Sequence, residues 1–252
     1  MHQFPIVEFL LDAGAAVDDE TYDHVWDFTF RQKCTDQQWI ALSRIRRSKG
    51  RNWIGDQNFP LIHLIVFGIS SKPLIEELEE NPTAVYQTDA KGRTALDWAT
   101  ARAQSGDMEL LIQYGSDVNT MDHSGRTTVL HAVDSHNYEA LKMVLEAGAN
   151  TNPVIPEGLH RSSPLTSASF GGLTEMVDLL LEHGARINTP NPEGRAALHT
   201  TIIRNNHEIL RSLIKKCDGT CLRDLKLLPV IAQHADEQTR AILESSGQFT
   251  EI

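Results

Sequence analysis

The chain has 252 residues, 40% hydrophobic and 23% charged, which fits one elongated domain or two small ones and excludes disorder throughout. Its 23 basic and 34 acidic residues leave a net charge of −11, which disfavours direct nucleic-acid binding while leaving local basic patches open. Three widely spaced cysteines make no disulfide framework, the N-terminus has no signal-peptide pattern, and the longest apolar run, near 61–69, is too short to span a bilayer. An intracellular chain is expected, in the cytoplasm or the nucleus, with no membrane partner.

In chain order, the first element is the apolar cluster Phe4-Pro5-Ile6-Val7-Glu8-Phe9-Leu10-Leu11, closed by Ala13-Gly14. It reads as the second half of a unit over 1–18 whose first helix is missing, as in a piece of a longer array or an end that frays. Residues 19–56 are expected to form a degenerate helical unit, with helices near 21–33 and 37–47 carrying Trp26, Phe30, Trp39, Ile40 and Ile45. The dense basic run Arg44-Ile45-Arg46-Arg47-Ser48-Lys49-Gly50-Arg51 ends that unit. Cations at a helix end complement its dipole, and a nuclear-import segment or an acidic-partner contact is the other reading. In the unit 57–88, Phe59-Pro60-Leu61-Ile62-His63 opens one helix, and Leu74, Ile75 and Leu78 line a second.

From residue 89 a frame recurs. Asp89 with Gly92-Arg93-Thr94-Ala95-Leu96 returns after 33 residues as Asp122-His123-Ser124-Gly125-Arg126-Thr127. It returns again as Asn191 with Gly194-Arg195-Ala196-Ala197-Leu198-His199, and more weakly as Ser163-Pro164-Leu165. Apolar clusters close at Gly115, Gly148, Gly184 and Cys217, in steps of 33, 36 and 33 residues. The longer step holds an insertion around Asn152-Pro153-Val154-Ile155-Pro156. The frame divides the chain into units 89–121, 122–152, 153–188 and 189–217. A C-terminal capping unit follows over 218–252, with helices over 222–234 and 236–246.

Each unit reads as two short helices joined by a polar turn. Apolar residues at helical spacing, such as Leu141, Val144 and Leu145 or Val177, Leu180 and Leu181, line one stripe. The closing glycine supplies a left-handed cap. One such pair cannot bury its stripe alone, so neighbours must stack into an all-α solenoid.

The residues Gly92-Arg93-Thr94-Ala95-Leu96, Leu130-His131-Ala132, Ser163-Pro164-Leu165 and Ala197-Leu198-His199 resemble the ankyrin repeat. The resemblance covers about 57–217. Phe59–His63 and the helices after it are also similar to fungal ankyrin proteins. No unit carries the complete Thr-Pro-Leu-His, and Thr127-Thr128-Val129-Leu130 reads as holding one inserted residue. The resemblance implies hydrogen bonds from His131, His199 and His63 between neighbouring loops.

No catalytic constellation is found. Cys217 and Cys221 offer two of the four ligands a zinc site needs, so a structural or free thiol is expected, and Cys34 is isolated. No metal or cofactor site follows. The resemblance implies a non-catalytic protein–protein interaction module, an intracellular scaffold or adaptor, gripping a partner through turn tips and a concave helix face. A transcriptional coregulator of ankyrin type is the alternative, motivated by the basic run. An enzyme is the remaining class. The candidate contacts are the cationic tips Lys91, Arg93, His123, Arg126 and Arg195, with Arg161 nearby, and the concave positions Arg102, Asp134, Phe170, Ile203 and Arg204.

Overall fold

A computed structural model describes residues 58–156, 158–159, 161–191, 195–217 and 227–246. The expected units 1–18 and 19–56, the basic run 44–51, Cys34, Cys221 and the start of the last unit lie outside the described residues. Helices come in antiparallel pairs. The pairs are α1 (Leu61–Val66) with α2 (Leu74–Glu80), α3 (Ala95–Ala101) with α4 (Ser105–Gln113), and α5 (Thr128–Asp134) with α6 (Tyr138–Glu146). After them come α7 (Pro164–Gly171) with α8 (Thr174–Glu182), α9 (Ala197–Ile203) with α10 (His207–Lys216), and α11 (Leu228–His234) with α12 (Glu237–Ser245). Among the described residues the extended structure is limited to two isolated bridges, Thr88 with Thr94 and Met121 with Thr127, at the turn tips.

The helices start where side chains satisfy their free N–H groups. Thr94, Thr127 and Ser163 cap α3, α5 and α7, each accepting from the backbone N–H three residues on. Asn137, Asn206 and Asp236 do the same for α6, α10 and α12. Ala196, at the start of α9, has no such oxygen, and its own N–H instead donates to His199 Nδ1 at 3.2 Å. The second helices α4, α6 and α8 end in a left-handed glycine, Gly115 at φ +85°, Gly148 at φ +90° and Gly184 at φ +81°. From Thr94, Thr127, Ser163 and Ala196 to Gly115, Gly148, Gly184 and Cys217, each cap-to-end distance is 21 residues. The insertion expected at Thr127–Leu130 is therefore absent. Leu130 occupies the position of His199, and His131 lies one place further along.

Stacking forms two layers. First helices pack on first helices, α1 on α3, α3 on α5, α5 on α7, α7 on α9 and α9 on α11. Second helices form a parallel row from α2 to α12. Between the rows runs one continuous seam in which Leu96, Leu111, Leu141, Leu165, Leu180 and Leu198 are at most 1% exposed. Burying each such side chain stabilises the fold by about 1.5–3 kcal/mol.

Polar stitches fix the register between units. His63 Nε2 donates to the Arg93 carbonyl at 2.9 Å, and Thr128 Oγ1 donates to Asp97 Oδ1 at 2.8 Å. Asn119 Oδ1 accepts from Asn150 N–H at 2.7 Å, and Asn152 Oδ1 accepts from Arg186 N–H at 2.8 Å. At the last junction, Asn205 Oδ1 accepts from Asp236 N–H at 3.1 Å and from Thr239 Oγ1 at 2.9 Å. The buried stitches at His63 and Thr128 satisfy groups that would be costly to leave bare. Burial pushes the His63 imidazole below its ordinary pKa of 6.5, despite the Arg93 carbonyl and the charges of Asp89 and Asp97. Cys217, 7% exposed at the end of α10, is disulfide-bonded and so is not the free thiol considered from the sequence.

Candidate functional site

The turn tips are built by one acid or amide. Asp89 Oδ1 accepts from the N–H groups of Lys91 and Arg93 at 2.9 and 3.0 Å, and Asp122 Oδ1 accepts from those of Ser124 and Arg126 at 2.8 and 2.9 Å. Asn191 Oδ1 takes the Arg195 N–H at 2.8 Å. A short polar side chain that bonds the backbone ahead of it closes such a turn. The recurring Asp/Asn at the head of each frame is therefore a folding signal. Burial would raise the Asp122 carboxyl, but His131, Ser124 and the Arg126 N–H together hold it well below the usual carboxylate range.

The tips do not form the row of cations expected from the sequence. Arg93 is 2% exposed. Its Nε and Nη2 both reach Asp89 Oδ2 at 2.7 Å, and its guanidinium lies 4.1 Å from the Trp98 ring centroid. Trp98 Nε1 donates to the same carboxylate at 3.1 Å, and Phe67 and Phe59 pack edge-on to the Trp98 ring. Arg93 is thus a core residue, and its assignment as a partner contact is withdrawn. Arg126 is half-buried and its Nε pairs with Asp134 Oδ2 at 3.0 Å, so these two candidates neutralise each other. Arg102 is half-buried, with Nε on Gln104 Oε1 at 2.8 Å and its guanidinium 5.7 Å from the Phe67 ring. Arg161 donates from Nε to the Ser124 carbonyl at 3.0 Å.

Lys91 is half-buried, and His123 and Arg195 are exposed. His123 donates its backbone N–H to the Lys91 carbonyl at 2.9 Å, joining two neighbouring tips. Its ring lies so close over Gly92 (φ +77°) that a Cβ there would sit 2.7 Å from Cδ2. Glycine is required at 92 both for its backbone angle and for this approach.

The C-terminal ends of the first helices carry the other candidates. Phe170, at the end of α7, is 62% exposed. Arg204, the residue after α9, is exposed and stands with its guanidinium 4.7 Å from the Phe170 ring centroid. Ile203 beside it is half-buried. Sequence reasoning named both Phe170 and Arg204, and the stacking of units brings them into contact. It missed the cleft between the 152–161 loop and the following tip, where Arg186 projects. The signal was present as the 36-residue step from Gly148 to Gly184.

Among the described residues, no cluster of three or more His, Cys, Asp or Glu side chains is placed to hold a metal, and no helix is long and apolar enough to cross a membrane.

Comparison with known proteins agrees with this architecture. The family model "Ankyrin repeats (3 copies)" matches residues 62–155 and 155–223. The transient receptor potential channel pyrexia of Drosophila melanogaster is 31% identical over 148 residues, 58% of this chain and 15% of that protein. The B-cell lymphoma 3 protein homolog of Mus musculus is 33% identical over 122 residues, 48% of this chain and 27% of that one. Ankyrin repeat and SOCS box protein 16 of Homo sapiens is 36% identical over 109 residues, 43% of this chain and 24% of that one. The chain spans less than a third of the length of each of these relatives. The chain belongs to the ankyrin-repeat family, whose fold is a non-catalytic module for protein–protein interaction.

Proposed function

We propose that this ankyrin array is a scaffold or adaptor that captures a protein partner on the face formed by the C-terminal ends of its first helices. The observation that carries the reading is the Phe170–Arg204 stack, an aromatic side chain left 62% exposed beneath a guanidinium that meets no carboxylate among the described residues. An exposed ring held in place by a cation is pre-organised to be covered, and aromatic and arginine side chains dominate the energy of protein interfaces. Lys91, His123 and Arg195, exposed or half-buried at the turn tips, add cations that can choose and steer an acidic partner. An intracellular location belongs to this reading.

Affinity purification from the native cell, with mass spectrometry, identifies the partner. Phe170→Ala and Arg204→Glu are then expected to weaken its capture by about tenfold or more, the size of a hot-spot loss, with unfolding nearly unchanged. Undiminished capture by the double variant overturns the assignment. The coregulator reading rests on the basic run 44–51. Nuclear entry of a fluorescent fusion that is lost on Arg46→Ala with Arg47→Ala would favour it, and entry unaffected by those changes would remove its support.

A further inference from the structure

The unit that breaks the 33-residue step carries a feature the others lack. Its leading loop is longer by three residues, and between that loop and the following tip at 186–191 lies an open cleft of about 470 Å³. Clefts of about 300–1,000 Å³ hold small ligands or a few residues of peptide. The walls include Arg161, Arg186, Asn152, Asn191, Val154 and Leu159.

Two arginines are among the described residues that line this cleft. Among the described residues, neither Arg161 nor Arg186 pairs with a carboxylate, and the Arg186 guanidinium meets no hydrogen-bond partner. Among the described lining residues there is no acid. Arginine left unpaired beside amide side chains is suited to planar, two-point recognition of a carboxylate.

The walls are also fixed before any ligand arrives. Asn152 Oδ1 accepts the Arg186 N–H at 2.8 Å while its Nδ2 donates to the Gly184 carbonyl at 2.9 Å. Thr151 Oγ1 donates to the His183 carbonyl at 3.3 Å, and Arg161 Nε is tied to the Ser124 carbonyl at 3.0 Å. Pro153, Pro156 and Pro190 stiffen both rims. Binding to a site already ordered loses less conformational freedom.

The cleft is not polar throughout. Val154 is 88% exposed on its rim, with Ile155 and Leu159 beside it. A free inorganic anion would leave that surface uncovered, whereas a peptide can place an apolar side chain on it. We propose that the cleft lined by residues 152–156, Leu159 and Arg161 on one side and by the 186–191 tip on the other binds a short acidic peptide segment, its carboxylates on Arg161 and Arg186 and an apolar side chain on Val154 and Leu159. The site is separate from the Phe170–Arg204 face and does not depend on it.

The test is an NMR titration of the full-length isotope-labelled chain with a capped synthetic peptide in which glutamates flank one leucine. Shift changes confined to 152–161 and 186–191 are expected, with binding weakened by about tenfold or more when glutamine replaces the glutamates or when Arg186 is changed to Gln. Arg186 is exposed, so its replacement leaves the fold intact, and Phe170→Ala is expected to leave this titration unchanged. Loss of capture on the Phe170 face with peptide binding retained would separate the two sites. The inference is overturned by equal binding of the glutamine peptide, by shifts elsewhere, or by no binding. It is also overturned by an Arg186→Gln variant that binds as well, or by a single-stranded oligonucleotide that outcompetes the peptide.

Discussion

Arg93 and Arg195 follow the same glycine in the same frame, yet one is buried and the other is exposed. The difference lies in two partners. At the first tip, Asp89 supplies a carboxylate and Trp98 supplies a ring to lie against, and together they draw the guanidinium inside. At the last tip, Asn191 is neutral and Thr200 stands where Trp98 would be, so Arg195 gains nothing by folding inward. The middle tip shows the intermediate case. Asp122 is present, but His131 holds the ring position with Nε2 3.5 Å from that carboxylate, and Arg126 turns instead to Asp134. Burying a charge needs a counter-charge and good geometry at once, and only one of the three tips has both.

The sharpest way to break this comparison is to remove the counter-charge. Asp89→Ala strands a buried guanidinium and is expected to cost about 3–5 kcal/mol in a urea unfolding curve, and Arg93→Glu is expected to be at least as damaging. Asn191→Ala removes a hydrogen bond at an exposed tip and is expected to cost only about 0.5–1.5 kcal/mol. Equal costs at the two tips would mean that the Asp89 cluster is not what separates them. Arg126→Glu, beside a half-exposed pair, is expected to shift stability by no more than about 1 kcal/mol.

Acid sharpens the contrast between buried and exposed groups. The folded-state pKa of His63 lies below its ordinary 6.5, so the unfolded chain takes up the proton first. Its contribution to stability is therefore complete above pH 6.5 and is lost as pH falls below it, with a slope of at most about 1.4 kcal/mol per pH unit. Asp122, also lowered, adds a second loss as pH falls below 3.8. Urea midpoints measured from pH 8 to pH 4.5 should decline at the acid end, and His63→Asn should flatten that decline.

The smallest effect concerns the turn between the two helices of a unit. Ala103, His136, Gly172 and Asn205 occupy equivalent positions and all have positive φ, from +48° to +70°. An alanine there is strained and a glycine is not. Ala103→Gly is expected to stabilise by about 0.5–1 kcal/mol, and Gly172→Ala to destabilise by a similar amount, read as opposite shifts in thermal midpoint. Shifts of the same sign would remove backbone strain as the explanation.

The fold was legible because its signals are local and repeat. Capping Thr or Ser, leucine stripes and the closing glycines Gly115, Gly148 and Gly184 each act within one unit. The candidate site was legible only in part, because exposure depends on neighbours outside the motif. Gly-Arg at 92–93 and at 194–195 looks alike until Trp98 and Thr200 are placed beside the arginines. Phe170 and Arg204 could be named singly, but their contact depends on how α7 stacks on α9. His131 was set at the wrong place in its unit because histidine identity outweighed the distance from Thr127. Arg186 carries no signal of its own in the sequence, because it lines the cleft only through the longer loop packed beside it.

The Asn205 clamp has a consequence for how the molecule comes apart. One side chain in a left-handed turn holds the Asp236 N–H, the Thr239 hydroxyl and the His234 carbonyl, and His207 beside it pairs with Asp236 at 3.0 Å, so the polar ties of the last pair are gathered at one corner. Under a mechanical load applied at the two ends, that joint should give way as a discrete early event, while the interior of the row stays intact and can accept the lost pair back when the load is released.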